Sequence, residues 1–101
     1  MPELVLCAAI YYPDGITYEH QPRNIEKGFV VAGRRHHNCL MTVSILSDDK
    51  ALLKTTGPVQ GFLTTEDRFI DRFEACKIAV ANGQVKEGAT VSGRLYSEDL
   101  Y

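Results

Sequence analysis

The sequence predicts an α+β fold, a small antiparallel β-sheet decorated by two short α-helices. Three observations predict it. The chain opens on a continuous apolar run with β-branched and aromatic members, and short strand-like runs bounded by glycine follow. A stretch with capping residues at both ends then lies in the second half. With 101 residues, the chain is expected to form a single domain over residues 1–101. Its core should be thin, because a chain this short buries only about two-thirds of its unfolded surface. Homo-oligomerisation is a natural way to bury more.

Residues 3–12, "ELVLCAAIYY", read as a buried strand. "PDG" at 13–15 is a turn, since proline presets φ and Asp-Gly suits positions needing positive φ. A return strand, "ITYEH", is expected from Ile16, making an N-terminal hairpin, with "QPRN" as a loop. "GFVVAG" (28–33) reads as a third strand. Over residues 36–46 the period is ambiguous, but Cys39, Leu40, Val43 and Leu46 fit helical spacing and His36 or Asn38 can serve a polar first turn. "SDDKALLKTTG" is a weakly patterned connection. "PVQGFLTT" (58–65) is a strand, "TED" a tight turn and "RFI" (68–70) its short partner. "DRFEACKIAVANG" is the clearest element: Asp71 as N-cap with Glu74 three residues on is a capping-box pattern, and Asn82-Gly83 closes it. Ala75, Ile78 and Ala79 share a face whose small residues allow close packing. The remainder, with its alternating "TVSGRLY", is expected as a loop and a late edge strand.

Composition narrows the function classes. The net charge of −2, eleven basic against thirteen acidic residues, is the wrong balance for a DNA-binding module. The six arginines are nonetheless concentrated, with Arg34 beside Arg35 and Arg68 four residues before Arg72. That distribution fits a small anionic ligand better than a polyanion. The longest apolar run is nine residues, against the ~20 needed to span a bilayer, and no basic leader precedes it. No membrane partner is expected. Three cysteines without CxxC spacing read as reduced thiols, each a small buried apolar residue, as in a cytoplasm.

The densest chemistry is "GRRHHNC" (33–39). A metal site is disfavoured, because adjacent histidines point apart and His20, Cys7 and Cys76 form no second ligand pair. A nucleophile built on Cys39 and His36 would also need an oxyanion hole and an orienting group, and the carboxylates fall in solvated runs. No catalytic set, metal or cofactor is therefore expected. Anion binding has better grounds: guanidinium groups grip phosphate bidentately and a helix N-terminus adds N–H donors and a positive dipole end. Arg34-Arg35 precedes one expected helix, while Arg68 and Arg72 bracket the start of the other. Phe62 and Phe69 lie close to the second pair, and aromatic faces beside arginines suit a nucleobase. The alternative stays open that Arg68 and Arg72 pair with Glu66, Asp67 or Glu74 and that both phenylalanines belong to the core.

Three segments taken in order, "GRRHHNC", "QGFLTTEDRFIDRFEACKIAVANGQV" and "LYSEDLY", resemble the first Thoeris anti-defence family of phage proteins, and "LCAAIYY", "YEHQPRN" and "GFVVAG" agree. The resemblance implies a non-catalytic sponge. It would capture glycocyclic ADP-ribose, a cyclic ADP-ribose signal made by a bacterial TIR-domain sensor, in the cytoplasm of the infected host. It further implies a homodimer assembling to a hexamer, with pockets at subunit contacts. For some members it implies cyclic oligonucleotides as a second ligand at separate sites. Residues 47–57 form a shorter connection than the family has. Carried over by position, the ligand-binding residues are Arg34, Arg35, His36 and Asn38, then Phe62, Thr64, Arg68, Phe69 and Arg72. In these roles the arginines neutralise a pyrophosphate, Phe62 or Phe69 stacks on adenine, and Asn38 or Thr64 binds ribose hydroxyls. Two readings of other classes compete: a small enzyme cleaving a nucleotide signal, and a protein-interaction module for an acidic partner.

Overall fold

A computed structural model describes residues 2–46, 57–89 and 93–100. Four strands form one antiparallel sheet in the order β2-β1-β3-β4: β1 (Val5–Tyr12), β2 (Phe29–Gly33), β3 (Val59–Thr64) and β4 (Phe69–Asp71). Helix α1 (His36–Leu46) follows β2, helix α2 (Arg72–Ala81) follows β4, and a 3-10 turn (Ser97–Asp99) closes the described chain. The α+β class expected from the sequence is the one observed. The "SDDKALLKTTG" connection lies almost wholly outside the described residues.

Strand β1 is central because its side chains bury on both faces. Ala8, Ile10 and Tyr12 point to the helices with Phe62, Ile70, Cys39, Val43, Ala75, Ala79 and Leu95, forming the main core. Ala9 is buried on the opposite face. An irregularity in register between Val5 and Cys7 takes up one residue, Leu6, and leaves Val5 opposite Thr64 on the helix side. With β2 and β3 occupying both of its edges, β1 has no place for the expected return strand at residues 16–20, and none forms. Instead Asp14 accepts from the Ile16 N–H (2.9 Å) and the Tyr18 hydroxyl (2.5 Å), which holds the segment as a turn.

The resulting loop, residues 13–28, reaches the far side of the sheet before returning to β2. The Asn24 side chain donates to the Phe69 carbonyl (2.6 Å) and accepts from its N–H (2.8 Å). The amide thus occupies the open backbone of edge strand β4. Gln84 does the same for Val5, beyond the end of β2, at 2.8 and 2.7 Å. Gln21 accepts from Val30 N on the outer edge of β2 (2.8 Å).

Both helix starts follow local chemistry. Asp71 caps α2 by accepting from Glu74 N (2.8 Å). Only this half of the expected capping box forms, because the Glu74 carboxylate turns to Arg68 instead (3.1 Å). The other end is a Schellman close: Gly83 sits at φ 67°, its N–H reaches Val80 O (3.3 Å), and Gln84 N reaches Ala79 O (2.8 Å). Helix α1 buries Cys39 and Val43 as the spacing predicted, but Leu40 is 47% exposed beside Met41 (60%) and Ile45 (71%). No late edge strand forms over 93–96, while 90–92 lie outside the described residues. The segment docks instead through Leu95, fully buried, whose N–H donates to Arg72 O (3.0 Å).

Candidate functional site

Both helix N-termini converge on the middle of β3. His36, the first residue of α1, is buried and donates from Nε2–H to the Gly61 carbonyl (2.8 Å), which fixes its tautomer. Its ring meets the edge of Phe62 with centroids 5.1 Å apart. Arg72, the first residue of α2, donates to the Gln60 side chain (2.5 Å) and to the Leu95 carbonyl (2.8 Å). Its guanidinium carbon lies 4.5 Å from the Tyr96 ring centroid. Burial pushes the His36 pKa down, the Gly61 contact opposes this, and the nearby Arg72 charge adds to the lowering, so the imidazole is neutral at pH 7.

Arg34 and Arg35 lead into this junction. Gly33 makes it possible: a Cβ there would meet Asn38 and Cys39 at 3.1–3.3 Å, so glycine lets the first turn of α1 lie close against β2. Asn38 reaches back and accepts from the Arg35 N–H (3.0 Å), replacing the side-chain cap that Arg35 lacks. The first turn of α1 carries no acidic residue. Two arginines therefore sit at the positive end of a helix, an arrangement that costs about 0.3–1 kcal/mol per charge.

The nine residues singled out in the sequence divide into three groups. Arg34, Arg35, His36, Asn38 and Arg72 gather around the helix N-termini. Thr64 and Arg68 instead face the N-terminal strand. Arg68 forms a two-point pair with Glu3 (2.6 and 2.8 Å) and a third contact to Glu74, while the Thr64 hydroxyl donates to Glu3 (2.6 Å). Phe62 is 0% exposed inside the main core, and Phe69 is 8% exposed against Tyr11 on the opposite face. Neither ring has an open face in this structure, which matches the alternative kept open for them, that both belong to the core. The polar atoms of Thr64 and Arg68 are engaged with Glu3, and the Glu74 contact of Arg68 is one of the acidic pairings that the sequence left open. Tyr96, Gln60 and Arg94, the last stacked on Phe73 at 5.0 Å, belong to the neighbourhood and were missed. For Tyr96 the available signal was its place in "LYSEDLY".

The Glu3 network has a pH signature. Bonding to Arg68 and Thr64 holds the Glu3 carboxyl down at about 2, from an ordinary 4.5. A depressed carboxylate pKa contributes stability that is fully present above pH 4.5 and lost as pH falls toward 2. Glu3→Gln is expected to flatten the pH dependence of stability in that window, read from urea midpoints between pH 5 and 2. An unchanged slope would show that the pair contributes nothing.

Other chemistry is sparse. Cys7, Cys39 and Cys76 are free thiols, and burial pushes Cys39 up to about 11. Among the described residues no three His, Cys, Asp or Glu side chains gather for a metal ion, and no helix is long and apolar enough to cross a membrane. A groove of about 620 Å³ runs along α2 between Phe73, Val80 and Gly93. Among the described residues Lys77 is the one charged residue in its lining, which is otherwise largely apolar.

Fold and site together define a small α+β protein whose two helix N-termini share an arginine-rich, aromatic-edged surface. Residues 4–101 match a family of phage proteins, described as the phage T4 y16D protein, and the chain belongs to that family. No curated protein and no solved structure matches it.

Proposed function

We propose that this protein binds and sequesters a cyclic ADP-ribose-type immune signal, glycocyclic ADP-ribose, without degrading it, and so blocks Thoeris immunity in the host cytoplasm. The observation that carries this reading is Arg34-Arg35 at the N-terminus of α1, a first turn without an acidic residue, with Arg72 beside it. Guanidinium groups and the N–H donors of a helix N-terminus are complementary to a pyrophosphate, which would present two negative charges to this junction. Membership in a phage family is compatible with such an accessory role.

A sequestering role also agrees with the state of the two groups an enzyme would use. The proton on His36 Nε2 is committed to Gly61, and the Cys39 thiol lies near the Ala8 and Arg35 carbonyls with its pKa well above neutrality. A sponge needs slow release, which a preformed site favours. Helix α1 exposes Leu40, Met41 and Ile45 and contains no Asp, Glu, Lys or Arg. That uncharged face supports the homodimer, and beyond it the hexamer, as the functional form.

The test is to incubate the purified protein with glycocyclic ADP-ribose, denature it by heat, and identify the released nucleotide by mass spectrometry. Intact ligand at a fixed molar ratio is expected. Altered ligand, or consumption beyond that ratio, overturns sequestration in favour of an enzyme.

A further inference from the structure

A nucleotide whose phosphates lie on Arg34, Arg35 and Arg72 carries a flat base that needs an aromatic partner nearby. Phe62 and Phe69 are packed away. Tyr96 is not: the residue is 45% exposed, and one face of its ring is seated on the Arg72 guanidinium. The ring is also held in place before any ligand arrives. Leu95 and Ser97 on either side of it are buried, its own N–H donates to the Asp99 carboxylate (2.9 Å), and Arg72 beneath it is fixed by Gln60 and Leu95. Little side-chain entropy remains to be lost on stacking.

Resting on the binding reading above, we infer that Tyr96 is the platform on which the adenine of the nucleotide stacks, completing a layered base–tyrosine–arginine arrangement. The guanidinium below the ring and the phosphates beside it then belong to one ligand footprint. Arg72 serves it twice, as a charge toward the pyrophosphate and as the support of the stacking ring. Phe73, paired with Arg94 and lining the groove along α2, lies outside that footprint.

The chain has no tryptophan, so Tyr96→Trp places a single indole reporter at the platform. Its fluorescence is expected to be quenched saturably by glycocyclic ADP-ribose and to be unaffected by inorganic pyrophosphate, which has no base. By calorimetry, Tyr96→Ala should weaken the nucleotide by about 10- to 100-fold while leaving pyrophosphate within about twofold, and Tyr96→Phe should stay close to the parent. Phe73→Ala should change neither. Wild-type affinity in Tyr96→Ala, or loss in Phe73→Ala in its place, overturns the assignment while the arginine site stands. If the parent protein takes up no nucleotide, the binding reading falls and the platform with it.

Discussion

Phe62→Ala is expected to lose about 3–5 kcal/mol of folding stability, the range for truncating a buried phenylalanine. The ring is fully enclosed by the core, with the His36 imidazole on its edge, so alanine leaves a cavity that neither the sheet nor α1 can close. Against a total of roughly 5–15 kcal/mol for a domain, such a loss leaves a measurable unfolded fraction at 37 °C. Urea denaturation with a parallel ligand titration separates the two possible roles of this residue. The expected outcome is a large fall in midpoint, with binding restored when the variant is assayed under folding conditions at low temperature. A variant of unchanged stability that no longer bound nucleotide would return Phe62 to the binding surface.

The opposite pattern is expected of Arg34→Ala combined with Arg35→Ala. Charge-assisted hydrogen bonds are worth about 1.5–3 kcal/mol each, so removing two phosphate contacts should weaken glycocyclic ADP-ribose on the order of 10²- to 10⁴-fold. A urea midpoint measured in parallel separates this loss of affinity from any loss of folding. Lost affinity in a variant that still folds is the mark of residues kept for a ligand. Arg68→Ala is the control: its three contacts are all to Glu3 and Glu74, so it should lower the melting temperature and change affinity by less than about threefold. Equal losses of affinity in both variants would return the phosphate site to the β3–β4 hairpin.

Much of the fold was legible because its signals are local. The caps of α2, the apolar run of β1 and the three-residue turn that delivers Asp67 at φ 59° are each written within a few adjacent residues. What was not legible depends on who pairs with whom. "ITYEH" has a strand's composition, but β1 has both edges filled by segments much later in the chain. Arg68 and Arg72 look equivalent in sequence, and the difference between them is Glu3, 65 residues away from Arg68. The grouping of Arg34, Arg35, His36 and Asn38 was legible because they lie with Gly33 in one strand-to-helix junction. Tyr96 could not be placed from sequence, since its partner Arg72 stands on another element and the terminal segment is docked by long-range contacts, Leu95 to Arg72 and Asp99 to Lys86.

Three side-chain amides, from Asn24, Gln84 and Gln21, stand where neighbouring strands would pair with β4, β1 and β2. A strand offered by another molecule finds those donors and acceptors taken, which guards an open four-stranded sheet against growing into a fibre. The sequestration proposed above would demand a high concentration of the protein, and margins protected in this way suit it to one. The homodimer proposed above would then have to form away from the sheet margins, where the outer side of α1 exposes Leu40, Met41 and Ile45.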